Sequence, residues 1–325
     1  MAVVGIGHAI IDLFVQAEGE LISELGLDPG SMTLIDDSTS REVLAHLSVL
    51  KASSGGSAAN TLAGVSSLGG ATYFVGALGN DQFANNYRDD LEDVGIVFID
   101  NSLDLGASNT GHCIVIVTPD GQRTMLTHLG ASIHVLDSVP NIDLGHDAIV
   151  CYVEGYLLDS PSGGQNIEAM FSKEIAGVEY AFSLSDRTLV QRRKPQIWEL
   201  IKGGGISILF GNEDEFLELC DSNDLLGAVE KVGAYVGEGA ITLGAKGSFV
   251  FSRDQEPIVV PAAQIEVVDT TGAGDLFAAG YLYAREKGYP SYERARMGNI
   301  CASEVISHFG ARPLVELSTL VAKAF

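Results

Sequence analysis

Chemistry is densest in the run Val267-Val268-Asp269-Thr270-Thr271-Gly272-Ala273-Gly274-Asp275-Leu276-Phe277-Ala278-Ala279-Gly280. Its pattern predicts a strand, a glycine turn and then a helix. Where a helix begins at Gly272, Ala273 and Gly274, N–H groups lack intrahelical acceptors and the positive dipole end faces outward, which makes an anion site. Asp275 falls in the first turn of that helix, beside the same anion. A base next to an anion hole is what phosphoryl transfer needs, because the attacking hydroxyl loses a proton while charge spreads over the transferring oxygens. A lone Gly-x-Gly-Asp reads better as a capped helix start, so the catalytic reading depends on its company.

Three other stretches supply that company. Gly55-Gly56-Ser57-Ala58-Ala59-Asn60 places two glycines before a helix, where a ligand can approach the backbone, and Asn60 offers an amide to a hydroxyl. Asn212-Glu213-Asp214-Glu215 follows an apolar strand and reads as a capping box with Asn212 as cap and Glu215 at the third position. Thr242-Leu243-Gly244-Ala245-Lys246-Gly247 reads as a turn between two strands. Asp12 follows the first strand and by itself reads as an exposed Asp at a strand end.

In their order along the chain the four motifs resemble those of the ribokinase/PfkB family, from Asp12 to Pro313. The resemblance implies an α/β, three-layer ribokinase-like fold with a central mostly parallel sheet and a small mixed α/β lid. It also implies an ATP-dependent kinase that uses Mg²⁺. Asp275 is then the catalytic base, Gly272, Ala273 and Gly274 the anion hole, and Asp12, Gly55, Gly56 and Asn60 the acceptor site. Asn212, Glu215, Thr242, Gly244, Gly247 and Asn299 fall to the ATP side, with Glu215 reaching Mg²⁺ through water. A monovalent cation such as K⁺ would be held by Asp269 and the carbonyls of Thr271, Val305, His308 and Gly310, with the His308 imidazole uninvolved.

The interval from Asp12 to Gly55 spans 43 positions and contains helical patterns at Glu20–Leu25 and Ser40–Leu47 around a strand-like Met32–Ile35. That mixed composition resembles the lid of adenosine kinases, as does Ser183-Leu184-Ser185. Asp120-Gly121-Gln122-Arg123 lies in a hairpin signalled by Pro119-Asp120-Gly121, and the resemblance makes Arg123 a holder of the transferred phosphate. A ribonucleoside, adenosine first, is the expected acceptor. The alternatives are ribose, fructose or 2-keto-3-deoxygluconate, and a non-catalytic regulator on the same fold. Monomer and homodimer both remain open.

The elements that must position these residues alternate. Apolar runs at Ala2–Ile6, Ala148–Val153, Tyr180–Leu184, Ile206–Phe210 and Ala240–Leu243 read as buried strands. Helical patterns at Ala58–Leu68, Gln82–Val94, Asn166–Ala176, Leu189–Ile201, Asp224–Val236, Gly274–Lys287 and Tyr292–Ser307 fall between or after them. Such alternation predicts a parallel sheet covered on both faces. Two segments break it and would form the lid, about 13–54 and 106–128, within a single domain over 1–325; Gly55-Gly56 and Gly106 would act as hinges.

Composition narrows the partners. The chain has 325 residues, and 19 basic against 43 acidic side chains give a net charge of −24. With no basic run beyond Arg192-Arg193-Lys194, nucleic acid and anionic membranes are disfavoured. The 4 cysteines form no C-x-x-C pair and read as buried free thiols. No P-loop is present, and Gly5-Ile6-Gly7 is not completed as a dinucleotide fingerprint, since Ile10 stands at the third glycine. No signal-type or membrane-length apolar run occurs, so a cytoplasmic small-molecule enzyme is expected.

Overall fold

The structure is a computed structural model and describes residues 2–16, 19–27, 32–102, 108–118, 123–137, 149–173, 175–253 and 255–325. In chain order the first elements are β1 (Ala2–Ile6), β2 (Ile10–Gln16), α1 (Gly19–Glu24), β3 (Met32–Leu34), α2 (Asp37–Leu44), β4 (Val49–Gly55) and α3 (Ser57–Ser67). Then come β5 (Ala71–Gly76), α4 (Gln82–Asp93), β6 (Ile96–Asp100), β7 (Gly111–Val117), β8 (Arg123–His128), β9 (Ile149–Glu154), α5 (Gly163–Phe171) and β10 (Val178–Ser183). The rest are α6 (Arg187–Gly203), β11 (Ile206–Asn212), α7 (Glu213–Cys220), α8 (Leu225–Gly233), β12 (Glu238–Thr242), β13 (Ser248–Ser252), β14 (Gln255–Val260), α9 (Ala273–Glu286), α10 (Ser291–Val305) and α11 (Leu317–Ala322).

A 9-stranded sheet in the order β14-β13-β12-β11-β10-β9-β1-β5-β6 forms the centre. From β12 to β6 all neighbours are parallel, while β13 runs antiparallel to β12 and β14. Every residue of β1 is buried because helices cover both faces, which is why this strand reads as an unbroken apolar run. One face packs against α3, α4, α9, α10 and α11, the other against α5, α6, α7 and α8. This is the three-layer α/β arrangement expected from the alternation.

A second, 5-stranded sheet in the order β3-β8-β7-β2-β4 makes the lid together with α1 and α2. Its strands come from the two segments that interrupt the alternation, although β2 already starts at Ile10. The expected hairpin pairs β7 with β8 antiparallel, out to Val117 opposite Arg123. Its turn, with Asp120-Gly121-Gln122, lies outside the described residues, as does Gly106.

Three local expectations are corrected. Asp12 lies inside β2 of the second sheet, whereas the lid segment was expected to begin only at about residue 13. The helix expected over Asn166–Ala176 is Gly163–Phe171, closed by the Ser172 N–H bonding the Glu168 and Met170 carbonyls. No strand precedes the glycine turn: Val267 and Val268 are 55% and 43% exposed, because the sheet edge ends at Val260 and no strand is beside them. The Val268 N–H is tied instead to the Ile306 carbonyl at 2.8 Å.

All 4 cysteines are buried and free. The basic triplet is neutralised locally, with Arg192 and Arg193 on Asp159 and Lys194 on Glu218 and Asp221. Among the described residues no helix is long and apolar enough to cross a membrane.

Candidate active site

Strand β1 is flanked by β5 on one side and β9 on the other, so the sheet's order reverses there. In open α/β sheets ligands bind beyond the carboxyl ends of strands at such a point. Here those ends supply His8 after β1, Glu154 on β9, Ser183 on β10, Asn212 on β11 and Thr242 on β12, all lining two adjoining cavities.

The smaller cavity, about 170 Å³, lies between the sheet and the lid. In β2 the period of two places Ile10, Asp12 and Phe14 on one face, and the register sets Cys113 opposite Asp12 and Met125 opposite Val115. That face roofs the cavity with Ile10, Met32, Leu34, Cys113 and Met125 around a single carboxylate, Asp12. Burial pushes the Asp12 carboxyl up to about 7 against the pull of Arg312 and Arg123.

Gly55 and Gly56 are small because the site leaves no room. A Cβ on Gly55 would come within 2.3 Å of an Asp12 oxygen, and one on Gly56, whose φ is +95°, within 2.4 Å of the His8 carbonyl. Directly beyond them α3 presents Ser57 and Asn60. Ser57 Oγ donates to Asp275 Oδ1 at 2.7 Å and the Asn60 amide to Asp275 Oδ2 at 3.1 Å. The acceptor-side glycine motif and the proposed base thus meet, although they lie more than 200 positions apart in sequence.

Asp275 is in the first turn of α9, whose cap Gly272 adopts the left-handed conformation at φ +78°. A side chain there would also strike Ala311. The Ala273 N–H is spent on the Thr270 carbonyl at 3.2 Å, so the free donors of the first turn are those of Gly274 and Asp275. This shifts the expected anion hole by one residue. Burial pushes the Asp275 carboxyl up to about 6, and the Ser57 and Asn60 hydrogen bonds oppose it.

The larger cavity, about 840 Å³, runs from this turn along β11, β12 and the 261–271 segment. Asn212 and Glu215 form the expected capping box, with Glu215 N–H on Asn212 Oδ1 at 2.9 Å and Asn212 N–H on Glu215 Oε2 at 3.0 Å. The Asn212 amide also donates to Glu215 Oε1 at 2.7 Å. Each carboxylate oxygen of Glu215 accepts one hydrogen bond from Asn212, which holds the side chain at the edge of the larger cavity. Burial pushes its carboxyl up to about 7.

Thr242, Gly244, Gly247 and Asn299 also line this cavity. The Asn299 amide braces the Val260 carbonyl at 2.9 Å, and Gly247 has φ +99° with its Cβ position filled by the Val260 carbonyl. Lys246 points into solvent near Glu213 at 3.6 Å. The exposed Ile265 and Val267 add an apolar wall.

Of the residues assigned to a monovalent cation, Thr271 and Gly310 are tied to Asp269, whose carboxylate is full. Asp269 Oδ1 accepts from the Thr271 N–H and hydroxyl, and Oδ2 from the Gly310 N–H at 2.9 Å and Arg123 Nη2 at 2.5 Å. Arg123 also donates to Thr271 Oγ1 at 3.0 Å. This donor set does not fit an additional cation, since a guanidinium already supplies the positive charge. The His308 imidazole turns to Glu304 at 3.2 Å, away from Asp269's partners.

Three contributors escaped the sequence reading. Glu154 is 1% exposed, accepts the His8 and Ala58 N–H groups at 2.8 Å each, and lines the smaller cavity. Burial pushes it up to about 7. Its signal was an acid at the carboxyl end of an apolar parallel strand. Ser57 stood inside the glycine motif without a role. Arg312 had no motif; its Nε lies 3.4 Å from Asn60 Oδ1.

The geometry can be set beside proteins already known. Residues 27–317 match the pfkB family carbohydrate kinase description. The crystal structure of adenosine kinase from Sinorhizobium meliloti superposes with a TM-score of 0.91 at 34% identity, covering 100% of this chain and 99% of that one. A probable sugar kinase protein from Rhizobium etli CFN 42 follows at 0.90 and 32%, covering 99% and 98%. A ribokinase from Arabidopsis thaliana is 30% identical over 274 residues, 80% of this chain and 68% of that protein. A match that takes in both cavities and the helix between them leaves one assignment: the chain belongs to the pfkB family of carbohydrate kinases, phosphotransferases that act on sugar or nucleoside hydroxyl groups.

Proposed function

We propose that the chain is an ATP-dependent nucleoside kinase that moves the γ-phosphoryl group to a primary hydroxyl of a ribonucleoside, adenosine first, to give AMP. The observation that carries the reading is the smaller cavity, with Asp12 and Glu154 among apolar Ile10, Met32, Leu34 and Met125. That roof would offer a bare sugar's hydroxyls few partners apart from Asp12 and Thr127. A ribonucleoside lays an aromatic base under the roof while its diol meets Asp12. Likeness to the Sinorhizobium adenosine kinase supports the same choice.

The larger cavity takes ATP, its base along Ile265 and Val267 and its phosphates toward the start of α9. Asp12 and Asn60 hold the ribose so that its hydroxyl faces Asp275 and the γ-phosphorus. As the hydroxyl oxygen bonds to phosphorus, the bond to the bridging oxygen breaks, ADP leaves with the electron pair, and Asp275 takes the proton. The Gly274 and Asp275 N–H groups stabilise the equatorial charge, and Arg123, already at the turn, meets the same oxygens. Family kinases use ATP with Mg²⁺, which neutralises phosphate charge; Glu215 would meet it through water.

A sugar acceptor such as ribose, fructose or 2-keto-3-deoxygluconate is the second reading, favoured by the likeness to the Arabidopsis ribokinase. A non-catalytic regulator would have no use for an Asp275 held by Ser57 and Asn60. The test is coupled ADP release with adenosine, inosine, guanosine and the three sugars. Adenosine should give the highest kcat/KM; a sugar exceeding every nucleoside would overturn the nucleoside reading.

A further inference from the structure

We propose that Arg312 is a positioning residue of the transfer site: from behind Asn60 it sets that amide's orientation toward Asp275. The inference rests on the phosphotransfer reading for its consequence, though not for its geometry.

An asparagine amide can sit either way round, and Asn60 sits between a cation and an anion. Only one orientation satisfies both, with Oδ1 toward Arg312 Nε at 3.4 Å and Nδ2 toward Asp275 at 3.1 Å. Reversal would set a carbonyl oxygen against the carboxylate. Asn60 is 6% exposed, so water does not relieve the choice.

The guanidinium is itself uncompensated. Nη2 is buried without a hydrogen-bond partner, and among the described residues Arg312 has no ion pair within 4.0 Å. Burying a cation without a close ion pair is costly, and the carboxylates whose charge acts on it are Asp90 and Asp12. Of the charged neighbours that favour ionised Asp12, Arg312 exerts the largest pull, ahead of Arg123.

The loop that carries Arg312 also touches the anion turn. The Gly310 N–H donates to Asp269 at 2.9 Å, and the backbone of Ala311 fills the space where a Gly272 side chain would go. The 310–312 stretch therefore braces the turn from one end and the Asn60–Asp275 contact from the other.

The test compares Arg312→Met and Arg312→Lys, each in the parent and Asn60→Ala backgrounds, by side-chain amide NMR and steady-state kinetics. Arg312→Met should move the Asn60 amide resonances, assigned by their loss in Asn60→Ala, and lower kcat roughly tenfold with the KM for ATP unchanged. Arg312→Lys, which keeps a charged donor, should recover most of both. In the Asn60→Ala background the Arg312 effect on kcat should largely vanish. Unmoved Asn60 resonances, equal losses in the Met and Lys variants, or additive effects on kcat would each overturn the proposal. Should Arg312→Met not fold, the uncharged Arg312→Gln in the two backgrounds takes its place in the same comparison. If no acceptor is turned over, the kinase reading fails, while the resonances still decide the role of Arg312.

Discussion

Arg123 on the lid and Asp269 on the core meet at 2.5 Å, side chains 13% and 7% exposed, at the mouth of the turn that opens α9. A lid strand is thereby latched to the residues that would bind the transferring phosphate, and the latch takes the carboxylate that a monovalent cation would use. The expectation is near-equal activity in sodium-only and potassium buffers at constant ionic strength. Arg123→Met should create potassium stimulation by freeing Asp269, alongside a lower kcat. ADP release against KCl checks both, and strong potassium activation of the unmodified protein would rule out the latch as the cation's replacement.

Asp275→Asn keeps the shape of the site and removes the base. kcat should fall by roughly 10²–10⁴, the usual span for a lost general base, with the KM values little changed. Asp12→Asn should act mainly on the acceptor KM. Near-normal kcat in Asp275→Asn would return Asp275 to a helix-capping role.

The acid limb of the rate profile follows from burial. The Asp275 carboxyl is pushed up to about 6 and must be ionised to accept a proton, so kcat should decline as pH falls through about 6. An acid limb near 4 in the pH profile of kcat would show that bound substrates remove the desolvation.

Stability should move the other way. Asp12, Glu154, Glu215 and Asp275 all bind protons more tightly folded than unfolded. Their contribution is fully present below the unfolded carboxylate range and is lost as pH rises through about 6 to 7. The net charge of −24 adds repulsion in the same direction. The ligand-free protein should therefore melt higher at pH 6 than at pH 8 in scanning calorimetry; a lower Tm at pH 6 would contradict this.

Gly55→Ala inserts a methyl within 2.3 Å of an Asp12 oxygen. Displacing that carboxylate by part of an ångström should cost up to roughly 10²-fold in kcat/KM for the acceptor. Stability can be followed separately by thermal melting. Unchanged acceptor kinetics would mean that Asp12 does not bind the acceptor.

Much of the scaffold was legible in the amino-acid order because its cause is local. Buried parallel strands read as apolar runs, the lid as two breaks in the alternation, the capping box as Asn212 and Glu215, and the turn that opens α9 as small residues before Asp275. Val267-Val268 misled for the same reason: a short apolar pair looks like a strand until one asks what pairs with it.

What the chain order could not express is which charges face one another. Asn60 with Asp275, Arg123 with Asp269, and Arg312 behind Asn60 are contacts between segments far apart in sequence, made only when the lid, α3, α9 and the C-terminal loop pack together. Whether a carboxylate is raised by burial, filled by a guanidinium or left for a ligand depends on those contacts, since desolvation and pairing act over a few ångströms of space and have no counterpart in sequence spacing. The kinase family was thus determined by the motifs themselves. The filled Asp269, the buried Glu154 and the apolar roof over Asp12 were decided only by the tertiary structure.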